Sequence, residues 1–94
     1  MLKPLITIII GTRPEAIKLA PLINAFKKSF DFKTRVLLTG QHKEMVDQVI
    51  KLFEIKEDHN LRVMRNNQSI CSLTSRILEG LHKEFEDNRP DLVF

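Results

Sequence analysis

Two cationic side chains follow a short apolar run near the start of the chain and could hold a phosphate group. Arg13 and Lys18 come after the run Leu5–Ile10, which is β-branched almost throughout and has the length of a buried strand. Gly11 allows a tight turn after it, and Pro14 suits the first turn of a helix. A helix N-terminus presents free N–H groups and partial positive charge, which favour a bound anion. The pattern predicts a phosphate-binding turn, and an ordinary strand–helix turn with two solvated cations is the equally weighted alternative.

A capping box is predicted at the start of this helix. Thr12 and Glu15 have the spacing in which a threonine hydroxyl caps the helix and a glutamate three residues later bonds back to it. We therefore expect Glu15 to be engaged in its own cap rather than in chemistry. Glu44 and Asp47 belong to the next predicted helix, so the sequence offers no carboxylate that we would assign as a general base.

The predicted elements alternate between strands and helices. Apolar periodicity predicts strands at 5–10, 34–39, 60–64 and 92–94, and helices at 13–29, 43–53 and 69–87. This alternation indicates a parallel sheet with right-handed crossovers, in the strand order 3-2-1-4. The fold class is therefore α/β and Rossmann-like. Its switch point lies between the first and fourth strands, where the Gly11 turn forms one half of the ligand crevice.

The helical periodicity also predicts which side chains are buried. Phe30 continues the apolar face of the first helix, and Ile70 and Leu78 belong to the apolar face of the third. Gly80 is expected to mark a close packing contact, because a glycine inside a helix is otherwise unfavourable. Cys71 lies near the start of the third helix, and we expect it to pack rather than to act as a nucleophile.

Composition argues against several classes of protein. The chain has 94 residues, of which 43% are hydrophobic and 29% charged, with a net charge of +3, as expected of one small folded domain. Basic and acidic residues alternate and neither tryptophan nor tyrosine occurs, which disfavours nucleic-acid binding. We expect no membrane span and no signal peptide. The single cysteine suits a cytoplasmic protein, and the scattered histidines predict no metal site.

A polar pair follows the second predicted strand. Gln41 and His42 lie at its carboxyl end, on the same rim of the sheet as the Gly11 turn. An amide and an imidazole in that place could contact a sugar nucleotide. A helix cap with a surface polar pair is the alternative interpretation.

These blocks resemble the non-hydrolysing UDP-N-acetylglucosamine 2-epimerases. The similarity lies in five segments that cover nearly the whole chain in order: 11–22, 39–49, 52–55, 77–81 and 89–93. The resemblance implies a two-domain glycosyltransferase-B-like architecture, with the active site in the cleft between two Rossmann-like domains. Residues 1–94 would then be the first part of the N-terminal domain, cut in or just after the fourth strand.

The resemblance also implies an activity and residue roles. The family interconverts UDP-N-acetylglucosamine and UDP-N-acetylmannosamine for surface polysaccharide, by eliminating UDP and adding it back to the opposite face of the sugar. Gly11 and Thr12 would belong to the substrate-binding turn, Arg13 would position the nucleotide, and Lys18 would bind substrate and contribute to turnover. The catalytic acid and base of the family follow the fourth strand, so we expect residues 1–94 alone to be inactive.

Further implications concern an effector and partners. Gln41, His42 and Gln68 match residues that hold a second, activating substrate molecule in bacterial members of the family. The sequence departs from that pattern at Glu44 and Asn67, where some relatives carry glutamine and arginine. The resemblance implies no cofactor and a cytoplasmic homodimer for the full-length protein. Two alternatives stay open: a non-catalytic nucleotide-binding fragment, and half a domain of a sugar-nucleotide glycosyltransferase.

Overall fold

Four parallel strands form one sheet, with helices in the connections between them. The computed structural model describes residues 3–40, 43–64 and 67–94. The elements in chain order are β1 (Leu5–Ile10), α1 (Arg13–Lys28), β2 (Lys33–Leu38), α2 (Lys43–Leu52), β3 (His59–Asn60), α3 (Ile70–Asp87) and β4 (Leu92–Val93). The strand order is β3-β2-β1-β4, which confirms both the predicted order and the α/β fold class. None of the described helices is long and apolar enough to cross a membrane.

The core lies on one face of the sheet. β1 and β2 pair in register from Leu5 opposite Lys33 to Ile10 opposite Leu38. Alternate side chains of the two strands pack against α1 and α2, and the cluster comprises Ile6, Ile8, Ile10, Ala16, Ala20, Ile23, Val36, Leu38, Val46, Val49, Ile50 and Ile55. Because α1 and α2 both follow right-handed crossovers in the same direction along the sheet, they cover the same face.

α3 lies on the opposite face of the sheet and is held there by an ion pair. Arg35 and Leu37 alternate with the core residues of β2 and therefore point to the other side of the sheet. The Arg35 Nε atom donates to Glu84 Oε1, and the Asn88 side chain donates to the same oxygen at 3.2 Å. Glu84 is only 7% exposed, so this ion pair is largely removed from water. It fixes the C-terminal half of α3 above the start of β2.

Gly80 makes the close contact that its place in the helix predicts. A Cβ at this position would lie 3.2 Å from Leu61 Cδ2 and 3.3 Å from Leu61 Cδ1. The absence of a side chain therefore lets α3 approach the segment that follows β3.

The third strand is shorter than predicted. It spans His59–Asn60 rather than residues 60–64. The following segment still tracks β2, because the amides of Leu61 and Val63 donate to Leu38 O and Thr39 O at 2.8 and 3.0 Å. Arg62, between them, has a φ of 53°, which interrupts the extended conformation. Three apolar side chains in five residues predicted a strand, but the backbone turns within them.

Four predictions of buried side chains are wrong. Phe30 is 87% exposed because α1 ends at Lys28, before the apolar pattern does. Ile70 and Leu78 are 83% and 63% exposed on α3, so the helical apolar stripe is wider than the surface that the described sheet covers. Cys71, predicted to pack, is also exposed.

The described edge of the sheet beyond β1 is apolar. Leu92, Val93 and Phe94 are 50%, 44% and 46% exposed. An exposed apolar edge strand is a template for pairing with another chain.

We therefore expect an isolated polypeptide of residues 1–94 to self-associate, as measured by sedimentation or light scattering. Leu92→Lys should reduce the association, because an edge lysine opposes strand pairing. A monodisperse monomer formed by the unsubstituted polypeptide would contradict this expectation.

Gly40 and Gly80 form a matched pair for a stability test. Gly40 has a φ of +86°, and a Cβ there would lie 2.6 Å from Asn60 Oδ1 and 2.8 Å from Arg62 Cα. Gly40→Ala should lower the free energy of unfolding by about 2 kcal/mol or more, since it combines a left-handed backbone with a backbone clash. In Gly80→Ala, the better helix propensity offsets mild crowding of a flexible leucine, so we expect a change below about 1 kcal/mol. Urea unfolding of the 1–94 polypeptide carrying Leu92→Lys, which opposes self-association, measures both changes by circular dichroism, and equal losses would contradict the prediction.

Candidate functional site

The turn between β1 and α1 lies at the carboxyl edge of the sheet, next to its switch point. β1 pairs with β2 on one side and with β4 on the other. α1 leads from β1 to β2 on one side, and α3 leads to β4 on the other side of β1, so the direction of the strand order changes at β1. Open α/β sheets bind ligands beyond the carboxyl ends of the strands at such a switch point. Gly11 is buried directly after the strand, and α1 begins two residues later at Arg13. The predicted phosphate-binding turn is therefore in the position where open α/β sheets bind ligands.

The first turn of α1 has no side-chain cap. Thr12 occupies the N-cap position with an extended backbone, and its side chain makes no capping hydrogen bond. The first bond within the helix runs from the Ala16 amide to Thr12 O at 3.0 Å. In α3, by contrast, the Ser69 hydroxyl accepts from the Ser72 amide at 3.0 Å. The predicted capping box is therefore wrong at Thr12, and the amide donors of the first turn are not occupied by its hydroxyl.

Glu15 bonds to the backbone one residue further back than a capping box requires. Its Oε2 atom accepts a hydrogen bond from the Gly11 amide at 2.8 Å. The prediction that Glu15 is engaged in its own cap is therefore wrong, because the partner of the carboxylate is the Gly11 amide at the end of β1 rather than the Thr12 amide. The spacing of a capping box reveals that the carboxylate turns back, and it does not reveal which amide it reaches.

Arg13 and Lys18 are both exposed, on successive turns of α1. Arg13 is the first helical residue, and Pro14 follows it without removing a helical hydrogen bond. Lys18 lies five residues further along, which corresponds to about 7.5 Å of helical rise. An anion above the helix N-terminus would therefore lie beside Arg13, with Lys18 on the second turn.

The predicted effector residues are only partly described. Gln41 and His42 lie outside the described residues. Gln68 is half-buried between β3 and α3, and its Nε2 atom donates to Val63 O at 3.0 Å. Its Oε1 atom is buried and has no hydrogen-bond partner among the described residues. Asn67 beside it has a φ of 57°, a conformation that asparagine adopts more readily than most residues.

The turn after β3 is a part of this rim that the sequence did not predict. Asn60 Oδ1 accepts from the Arg62 amide at 2.9 Å, and Arg62 itself has a positive φ. This turn approaches Gly40 at the end of β2. The asparagine was the one available signal, because a side chain that bonds to the amide two residues on favours a turn.

A groove also lies at the opposite, amino edge of the sheet. Its lining includes basic residues from the starts of β1 and β2, together with two aspartates. Asp58 accepts from the Val36 amide at 2.6 Å and Asp91 accepts from the Leu5 amide at 2.7 Å. Both carboxylates accept from strand amides, at the first residue of β1 and within β2. The groove is thus at the far end of the strands from the Gly11 turn and does not belong to the predicted site.

Comparison with known families gives one consistent result. The sequence model of a family described as UDP-N-acetylglucosamine 2-epimerase matches residues 24–94. A UDP-N-acetylglucosamine 2-epimerase of Yersinia pestis is 49% identical over 85 residues, which cover 90% of this chain and 23% of that protein. The corresponding protein of Escherichia coli K12 is 48% identical over the same length and coverage. The chain therefore spans about a quarter of the length of these curated relatives.

Solved structures extend the likeness to the Gly11 turn, which precedes the matched family region. A structure of the UDP-GlcNAc 2-epimerase of Neisseria meningitidis, bound to UDP-GlcNAc, has a TM-score of 0.87 and 46% identity. The match covers 96% of this chain and 24% of the Neisseria meningitidis chain. A putative UDP-N-acetylglucosamine 2-epimerase of Listeria monocytogenes has a TM-score of 0.92 at 42% identity, over 99% of this chain and 25% of its own.

Proposed function

This chain belongs to the UDP-N-acetylglucosamine 2-epimerase family, and on that basis we propose that it forms the nucleotide-binding start of an enzyme that interconverts UDP-N-acetylglucosamine and UDP-N-acetylmannosamine. The observation that supports the proposal is the uncapped N-terminus of α1 beside Arg13, placed at the switch point of a sheet that is shared with these epimerases. The relative of Neisseria meningitidis was solved with UDP-GlcNAc bound.

The proposed enzyme is larger than this chain. Residues 1–94 would be the first part of the N-terminal Rossmann-like domain of a glycosyltransferase-B-like fold, the architecture of its structural neighbours. We use "complete enzyme" for an epimerase chain whose first 94 residues are this sequence. We propose that the complete enzyme is a cytoplasmic homodimer and that residues 1–94 alone are inactive. The relatives favour this function over a non-catalytic fragment or half of a glycosyltransferase domain.

The charges at the Gly11 turn suit one half of the reaction. Eliminating UDP from the sugar breaks the bond between C1 and the diphosphate oxygen, so negative charge develops on the departing diphosphate. The uncapped amides of α1 and the guanidinium of Arg13 can hold this charge, and Lys18 can add a second cation. The other half, removal of the proton at C2, requires a carboxylate near the sugar. Glu15 is held by the Gly11 amide, so we assign the base to the remainder of the complete enzyme.

The role of Lys18 predicts a loss of turnover. In the complete enzyme, Lys18→Ala should lower kcat about a hundredfold, since it removes a cation that stabilises the leaving diphosphate. Steady-state assays of UDP-N-acetylmannosamine formation measure this effect. Lys28→Ala is the matched control, because it removes an exposed lysine from the last turn of the same helix. A fully active Lys18→Ala enzyme would mean that the side chain is only solvated.

The proposed effector role of Gln41 and His42 predicts a change in cooperativity. Replacing both residues by alanine in the complete enzyme should flatten the sigmoidal dependence of rate on UDP-N-acetylglucosamine, because the activating molecule would lose its contacts. Circular dichroism should show an unchanged fold. Gln68→Ala should act in the same direction if the half-buried amide belongs to the same site. Rate curves of unchanged shape in the double variant would instead support the helix-cap interpretation.

A further inference from the structure

Backbone hydrogen bonds connect the β4-facing side of β1 to residues 91–94, and a carboxylate accepts from one amide before them and from one after them. Odd-numbered residues of β1 direct their backbone towards β4: Asp91 N donates to Leu5 O, Phe94 N to Thr7 O, and Ile9 N to Phe94 O. At the start of this series the Leu5 amide donates to Asp91 Oδ2 at 2.7 Å. At its end the Gly11 amide donates to Glu15 Oε2 at 2.8 Å. Since Gly11 continues the odd-numbered series, its amide points into the crevice side of β1.

The bond to Gly11 determines where the Glu15 charge lies. A carboxylate at the third position of a helix reaches back to the N-cap amide in a capping box, and the positive end of the helix attracts it. In this chain Thr12 makes no side-chain cap, so those amides are the donors that a phosphate would use. A carboxylate placed over them would compete with the phosphate for the same positive end of the helix. The Gly11 amide instead holds the carboxylate at the end of β1.

We propose that Glu15 is a positioning residue for the diphosphate of the sugar nucleotide. By bonding to the Gly11 amide, it fixes the turn between β1 and α1. The proposal rests on the function proposed above, because it concerns the binding of that substrate. It assigns Glu15 no proton transfer. The residue acts by holding the turn in the geometry that receives the phosphate.

The proposal predicts a defect in binding rather than in chemistry. Glu15→Ala in the complete enzyme should raise the KM for UDP-N-acetylglucosamine and the Kd for UDP by about tenfold, the scale of a lost hydrogen bond to a charged group. The value of kcat should change less, because the turn holds the diphosphate in both the ground state and the transition state. Steady-state kinetics and isothermal titration with UDP measure these constants.

Two conservative variants distinguish the effect of side-chain length at position 15 from the effect of its charge. Glu15→Gln retains an oxygen that can accept from the Gly11 amide, and it should keep KM within about threefold of the unsubstituted enzyme. Glu15→Asp keeps the charge but is one methylene too short to reach that amide from the same helical position. It should raise KM and the Kd for UDP as Glu15→Ala does. The opposite ranking, with the aspartate variant normal and the glutamine variant impaired, would overturn the proposal.

Asp91 provides the matched control at the other end of the same strand. Asp91→Asn and Asp91→Ala alter a carboxylate that accepts from a β1 amide at nearly the same distance, far from the turn. They should lower the thermal midpoint as the Glu15 variants do, without changing KM. If Glu15→Ala lowers the thermal midpoint and leaves KM and the Kd for UDP unchanged, Glu15 is only structural and the proposal is wrong. An unsubstituted complete enzyme with neither epimerase activity nor UDP binding would instead contradict the proposed function.

Discussion

The pairing of β1 on both of its sides is the constraint on which the rest of this structure depends. One side bonds to β2 along the whole strand, and the other bonds to β4 and to two carboxylates. A central strand in this position has little freedom to shift along its axis, because a slip would break bonds on both sides at once. The end of β1 therefore fixes where the chain turns. The start of α1, and with it the proposed phosphate-binding turn, follows from that point.

The two long helices, α1 and α3, differ in whether the N-cap side chain bonds to an amide of the first turn. α3 has a serine cap that satisfies one of its first amides, so its N-terminus is closed by its own chain. α1 has a threonine in the same position that makes no such bond. A short polar residue at an N-cap is compatible with both outcomes. The side chain that follows at the third position, Glu15, distinguishes them, because it turns away from the helix towards the strand.

The parts of the fold set by apolar periodicity could be predicted from the sequence. β1 was predicted at its observed bounds, because six apolar or β-branched residues in a row have few other structures available to them. The strand order followed from the alternation of elements and the handedness of crossovers. β3 was predicted too long, because the turn at Arg62 depends on a bond from Asn60 and on a positive φ that no local pattern announces. Exposure of Leu78 likewise depends on what lies beside α3, which the helix's own periodicity does not contain.

The candidate site shows the same division between local and non-local information. Residue types and spacing placed Arg13 and Lys18 after the strand and at the start of the helix, as the structure has them. The partner of Glu15 could not be predicted, because the amides of Gly11 and Thr12 are adjacent in sequence and the spacing does not distinguish between them. The choice between them depends on which side of β1 the Gly11 amide faces. That orientation is set by the pairing of β1 with β4, a strand more than eighty residues away in the chain. The position of the Glu15 charge at the proposed phosphate-binding turn thus depends on the sheet as well as on the local motif.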